Sequence, residues 1–171
     1  MIDPQPMSQA LPYTDTKPVG HADFYFAVNA TFRFILKRFG YEKLREYWQD
    51  IGTSYYKPVS EQWRDHGFAG VAEYWRVFFK AEPGAEVAVH ESADEVRLEV
   101  QRCPAIHHLH ENKREIVPCF CQHCFFVNEA IAAPAGMTVR VQGGNGSCVQ
   151  RFMKRTAELP PQSLEDIATA S

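Results

Sequence analysis

All five cysteines of the chain, together with His107, His108, His110 and His123, fall between Cys103 and Cys148. Thiols and imidazoles are the side chains best suited to hold a soft or borderline metal, and a thiolate is also a nucleophile. Cys121 and Cys124 stand three apart. On a helix that spacing puts both sulfurs on one face within reach of one metal, which is why it recurs in zinc and iron–sulfur sites. Cys103 leaves the end of one predicted strand. Cys148 begins another after Gly143-Gly144-Asn145-Gly146, so both can come to the open end of a sheet beside that helix. The expected metal set is therefore Cys103, Cys121, Cys124 and Cys148, with Cys119 pointing elsewhere. One CxxC pair leaves three uses open: a metal, zinc or alternatively an iron–sulfur cluster; a reactive thiol; or buried cysteines that only pack.

The histidines narrow the chemistry. His107, His108 and His110 cannot all face one point on a helix, and His107, four residues after Cys103, is the preferred partner. With zinc on Cys103, Cys121 and Cys124 and the fourth position open, a water would be acidified there, and His107 or His123 would shuttle its proton to a leaving nitrogen. With Cys148 in the fourth position no water site remains, and the metal is structural or redox-active. Without metal, Cys124 would be the nucleophile, activated by a neighbouring histidine and by the start of the helix near Cys121. The glycine run lacks the Lys-Ser/Thr of a phosphate loop and precedes a strand, so it reads as a hairpin loop.

These residues need elements to place them. Phe24, Val28, Thr31, Ile35 and Phe39 recur at three- and four-residue steps, which predicts a helix over 23–39; Leu44, Tyr47, Trp48, Ile51 and Tyr55 predict a second over 41–56, ending before Pro58. A short helix from Ser60 to His66 stops at Gly67. Val71, Tyr74, Trp75, Phe78 and Phe79 stripe a further one that ends before Pro83. The period then drops to two. Val87 and Val89, then Val96, Leu98 and Val100, alternate with polar residues as an antiparallel hairpin. Met137 to Val141 and Cys148 to Met153 supply two more strands, with a helix from Cys121 to Ala133 before them. The expected fold is α+β, an amino-terminal helical layer packed on a small antiparallel sheet with a cysteine-bearing helix between strands. Trp48, Tyr55, Tyr56, Trp63, Tyr74 and Trp75 either pack the core or line a ligand pocket.

Residues 1–20, broken by Pro4, Pro6, Pro12 and Pro18, read as a flexible arm; 21–155 form a single domain; 156–171, rich in Pro, Ser, Thr and Ala, read as a loose tail. The 171 residues, 45% hydrophobic and 23% charged, suit one compact core, and a formal charge of −3 without a run of like charges argues against nucleic acid. No secretory signal pattern and no long apolar span is present, so the expectation is a cytoplasmic protein with reduced thiols that does not span a membrane. Its aromatic content is compatible with a homodimer.

Cys103-Pro104, then Cys121 with a polar ligand position at Cys124, then Gly136, then the glycine turn ending in Cys148 and followed by Arg151, resembles the L-2-amino-thiazoline-4-carboxylate hydrolase-like family. The order of these residues is also similar to that in small-molecule-binding domains related to bacteriochlorophyll 4-vinyl reductase. The resemblance covers about residues 85–155. It implies an α+β enzyme that opens a carbon–nitrogen bond of a small heterocyclic substrate by hydrolysis. Two positions depart from it: Cys124 and Asn145 stand where the resemblance leads one to expect acidic residues. A thiolate in place of a carboxylate softens the site toward zinc, copper(I) or an iron–sulfur cluster, and it favours the alternative of a non-catalytic metal- or ligand-binding sensor domain.

Overall fold

A computed structural model describes residues 21–171; the arm expected over 1–20 lies outside the described residues. The periodic segments form the helices that their spacing predicts. α1 (Phe24–Phe39) and α2 (Tyr41–Asp50) run into a π-helical turn at Ile51–Tyr55, and α3 (Lys57–Ala81) follows with one non-helical residue, Gly67, where the sequence pattern breaks. The hairpin is β1 (Glu86–Glu91) and β2 (Glu95–Arg102). Beyond it come α4 (Pro104–Glu111), α5 (Gln122–Ala132), β3 (Met137–Gly144) and β4 (Ser147–Lys154). The domain is α+β, as expected.

The sheet order is β1-β2-β4-β3-β5, antiparallel through its first four strands. Its last strand, β5 (Ile167–Ala168), pairs parallel with Gly143 and Gly144 of β3, so the sheet is mixed rather than purely antiparallel. The cross-strand register aligns Val96, Phe152 and Val139 in one row, Leu98, Gln150 and Val141 in the next, and Val100, Cys148 and Gly143 in the third. Residues opposite one another share a face, so these three rows form the covered side of the sheet. There Trp63 of α3 sets its ring edge-on against Phe152 with centroids 5.3 Å apart.

Two apolar cores meet at α5. One joins α3 to the sheet through Trp63, Trp75, Leu98, Val139 and Phe152; the other joins α1, α2 and α4 through Phe32, Leu44, Trp48, Ile106, Leu109 and Phe120. Cys121, Phe125 and Val127 touch both. Trp48, Trp63 and Trp75 are thus core residues, whereas Tyr55 is exposed. Among the described residues no helix is long and apolar enough to cross a membrane.

The segment expected as a loose tail is docked along the open edge of β3. The Gln162 side chain accepts from the Val141 amide (2.8 Å) and donates to the Val141 carbonyl (3.1 Å), as a paired strand would. Glu129 of α5 takes the Val139 amide (2.8 Å), and Ile167 and Ala170 are buried. These contacts satisfy backbone groups that an edge strand otherwise exposes, a function with no hydrophobic period to reveal it in sequence.

The π-helical turn brings Gly52 against α5 so closely that a Cβ there would lie 2.5 Å from Ala130 Cβ and 2.6 Å from the Val127 carbonyl oxygen. A backbone atom cannot rotate away. Gly52→Ala should therefore destabilise the domain by about 1–3 kcal/mol, read as a lower urea midpoint; an unchanged midpoint would mean that the π-helical turn does not seat on α5.

Candidate functional site

The turn between β3 and β4 is the centre of the cysteine constellation. Its backbone uses φ values of +90° at Gly143, +49° at Asn145 and +113° at Gly146, and a Cβ on Gly143 would come within 2.9 Å of the Ser147 carbonyl oxygen. The glycines let the turn fold tightly enough to offer its backbone to two other segments. The Asn145 amide donates to Cys121 Sγ (3.3 Å), and the Gly146 carbonyl accepts from the Cys103 amide (2.8 Å). Cys148 leaves the same turn on the covered face of β4. Ser171 closes the turn from outside, its amide donating to Asn145 Oδ1 (3.2 Å).

Helix α5 supplies the remaining thiol. Cys121 is its N-cap and Cys124 lies in its first turn, one turn before Asn128, whose buried amide reaches Gln150 on the sheet. The sheet-facing side of α5 thus carries Cys124 toward Cys148. Cys103 sits as the N-cap of α4. The charges of Cys103, Cys121 and Cys124 reach one another and Cys148, each raising a neighbour's pKa, whereas the charge of Cys119 is felt at Tyr41; Cys103, Cys119 and Cys121 all pack against the α1–α2–α4 core.

Each thiol keeps a little solvent contact, yet most of the volume around its sulfur is protein. Burial pushes Cys103 up to about 11, against the opposing amides of Ile106 and Ala105 in the first turn of α4. Burial likewise pushes Cys121 and Cys124 up to about 12, and Cys148 is raised by burial and then by the charge of Cys124. The helix N-terminus at Cys121 does not overcome desolvation, so a free thiolate is not poised at neutral pH.

The histidines separate. His123 is enclosed by Phe32 and Phe120, its Nδ1–H donates to the Phe120 carbonyl (2.5 Å), and burial lowers its pKa, so it is a neutral ring with Nε2 3.7 Å from Cys124 Sγ. His107 does not face the thiols: Arg102 and Glu111 hold it, the latter at 2.9 Å. His108 stacks on Phe26 and meets Asp23 (3.1 Å), while His110 is exposed.

Two residues beside the thiols carry no sequence motif. Tyr25 of α1 donates its hydroxyl to Glu82, the C-cap of α3. Burial and then that carboxylate raise the Tyr25 pKa, with Cys103 and Cys124 adding to the effect, and the Glu82 charge is felt at Cys103. Tyr25 also packs against the same core as Cys103 and Cys121. A carboxylate at the negative end of a helix stands in an electrostatically costly place. The only signal for it in the sequence is that an acidic residue follows the last helical turn.

A hollow of about 300 Å³ between α3 and β1 is lined by Arg76, Phe79, Lys80 and Val87 and by no cysteine or histidine. Among the described residues no three His, Cys, Asp or Glu side chains stand, as they are turned, in position to grip one metal ion. Thiol donors such as these suit a soft metal rather than a hard one. No family model matches the chain, and no curated protein matches it.

The thiols fix a pH dependence for the metal-free protein. An unfolded thiol titrates near 9.0 and the folded ones near 11 to 12, so between those values the unfolded chain has released protons that the folded chain still holds. Stability is then full below about pH 9 and falls as pH rises toward about 12. Urea unfolding should show this loss, and a Cys103→Ser, Cys124→Ser variant should show a shallower one. Equal alkaline limbs in both proteins would contradict the burial of these sulfurs.

Proposed function

We propose that the protein is a small-molecule domain built on a metal–thiolate centre, with Cys103, Cys121, Cys124 and Cys148 as sulfur ligands of zinc or, alternatively, of an iron–sulfur cluster. The observation that carries the reading is the gathering of these four thiols around the β3–β4 turn in surroundings that keep each one neutral. Thiolates packed so closely repel one another, and a bound cation is what makes them stable together. Sulfur donors select zinc, copper(I) or iron–sulfur clusters over hard ions. Four sulfurs close a coordination shell, and a closed shell suits a domain that binds or senses a ligand.

A second reading is favoured by the Tyr25–Glu82 pair: a hydrolase acting on a small heterocycle, the activity implied by the resemblance of the Cys103–Arg151 region to L-2-amino-thiazoline-4-carboxylate hydrolases. Zinc with one open position would supply Lewis acidity to a water. In that reading Glu82, its carboxylate oriented by the Tyr25 hydroxyl, would be the acid–base group of the site, and Tyr25 would hold that carboxylate in place. Glu82 would then take the role expected of His107, whose partly buried ring is engaged at Nε2 by Arg102 and Glu111. The metal-free alternative, Cys124 activated by His123, is weakened by a thiol near 12 beside an imidazole whose pKa is lowered, a combination that disfavours the ion pair.

Metal and acid-labile sulfide content of anaerobically purified protein tests the first reading: about one bound centre per chain is expected, lost in a Cys121→Ser, Cys124→Ser variant. No metal in the unsubstituted protein overturns it. For the second, turnover of L-2-amino-thiazoline-4-carboxylate should drop about 100-fold or more in kcat in Glu82→Gln, with metal content unchanged. Full turnover in that variant removes Glu82 from the chemistry, and no turnover in the unsubstituted protein leaves the ligand-binding reading alone.

A further inference from the structure

The covered face of β4 reads Cys148, Gln150, Phe152, and Gln150 is out of place in that row. Its register partners on either side are Leu98 and Val141, and it is 4% exposed. An apolar residue would satisfy the position without needing a partner. The partner it has is equally buried: Asn128 of α5, 4% exposed, donates from Nδ2 to Gln150 Oε1 at 2.9 Å. That bond decides which way the Gln150 amide faces. With its oxygen occupied by Asn128, Gln150 turns its NH₂ toward Cys148, and Nε2 lies 3.8 Å from Sγ.

The direction of both bonds is informative. A carboxamide can present either an acceptor or a donor to a neighbour, and a neutral thiol is a weak donor as well as a weak acceptor. This pair is arranged so that the sulfur meets a donor. Asn128 stands one turn beyond Cys124 on the same side of α5, so the relay starts on the helix that bears Cys124 and ends on the strand that bears Cys148.

We propose that Asn128 and Gln150 are positioning residues of the metal–thiolate centre, a buried amide relay that holds the Gln150 N–H groups on Cys148 and commits that sulfur as the fourth ligand. The proposal rests on the metal–thiolate reading above. A ligand sulfur is electron-rich and accepts hydrogen bonds, and outer-shell donors of this kind orient ligands and contribute to metal affinity. The relay also gives a reason for two polar side chains in an apolar interior, where a leucine and a methionine would pack as well.

The test compares zinc affinity, measured by competition with a chromophoric chelator, in the full chain and two variants. Asn128→Leu with Gln150→Met removes both amides together and leaves no buried group without a partner. Asn128→Asp keeps the shape and reverses the bond: the aspartate accepts from Gln150, whose oxygen then faces Cys148. Both variants are expected to bind zinc about 10- to 100-fold more weakly. Cobalt(II)-loaded samples should also lose part of the sulfur-to-cobalt charge-transfer absorption, which scales with the number of bound thiolates. A purely structural pair would alter melting of the metal-free protein and leave both metal readouts untouched, and that result in either variant overturns the proposal. If the double variant does not fold, Asn128→Asp decides by the same readouts; if neither folds, the pair is a folding element and the proposal is overturned. Absence of zinc binding in the unsubstituted chain is a different outcome, which overturns the metal–thiolate reading and this proposal with it.

Discussion

Taking a thiolate out of water is costly, and four of them side by side are costlier still, because each ionisation opposes the next. Cys103, Cys121, Cys124 and Cys148 are held under that constraint, all with pKa values displaced upward by burial. Left to themselves they are neutral groups, poor nucleophiles at neutral pH. As neutral groups they are poorly suited to catalysis by a bare thiol. The amides facing two of the sulfurs, Asn145 on Cys121 and Gln150 on Cys148, act in the same direction, offering donors to atoms that would carry charge.

The fold ties the cysteine-bearing segments together through one short turn. Asn145 and Gly146 connect the turn to the N-cap of α5 and to the junction between β2 and α4, so two segments distant in sequence are fixed against one piece of backbone. The turn is itself braced by β5 and Ser171. Helix α5 is pressed on the sheet from the other side by the π-helical turn, whose Gly52 admits no side chain, and by the two cores that share Cys121, Phe125 and Val127. A site with this many backbone anchors has little freedom in where its Cβ atoms stand, and side-chain rotation is the adjustment that remains.

Much of this was legible in the sequence, for identifiable reasons. The apolar steps from Phe24 to Phe39 and the alternation from Val87 to Val100 arise from burial on one face, and burial is what a period records. The helix expected from Cys121 begins at Gln122, so Cys119 lies before it and helix geometry does not set its direction. Illegible were contacts made between elements. Tyr25 and Glu82 meet only because α1 and the end of α3 are folded onto the same corner, and 57 residues separate them. His107 kept its helix but lost its expected direction to the pull of Arg102 and Glu111. The docked segment after Lys154 satisfies an edge through the carboxamide of Gln162, a backbone mimic without hydrophobic pattern. Gln150 is an intermediate case: strand alternation alone puts it between Cys148 and Phe152 on the buried face, and only Asn128 explains why it is tolerated.

Sulfur and acid–base groups enter the site from different layers, and that division matters for what it can do. The thiols belong to the turn, α4, α5 and β4, all tied by hydrogen bonds to the sheet or its connections. Tyr25 and Glu82 belong to α1 and α3, joined to each other there by a single side-chain bond. Glu82 also stands where the carbonyl end of α3 disfavours its charge, which the Tyr25 hydroxyl offsets. The sulfurs and the Tyr25–Glu82 pair thus belong to separate layers of the molecule.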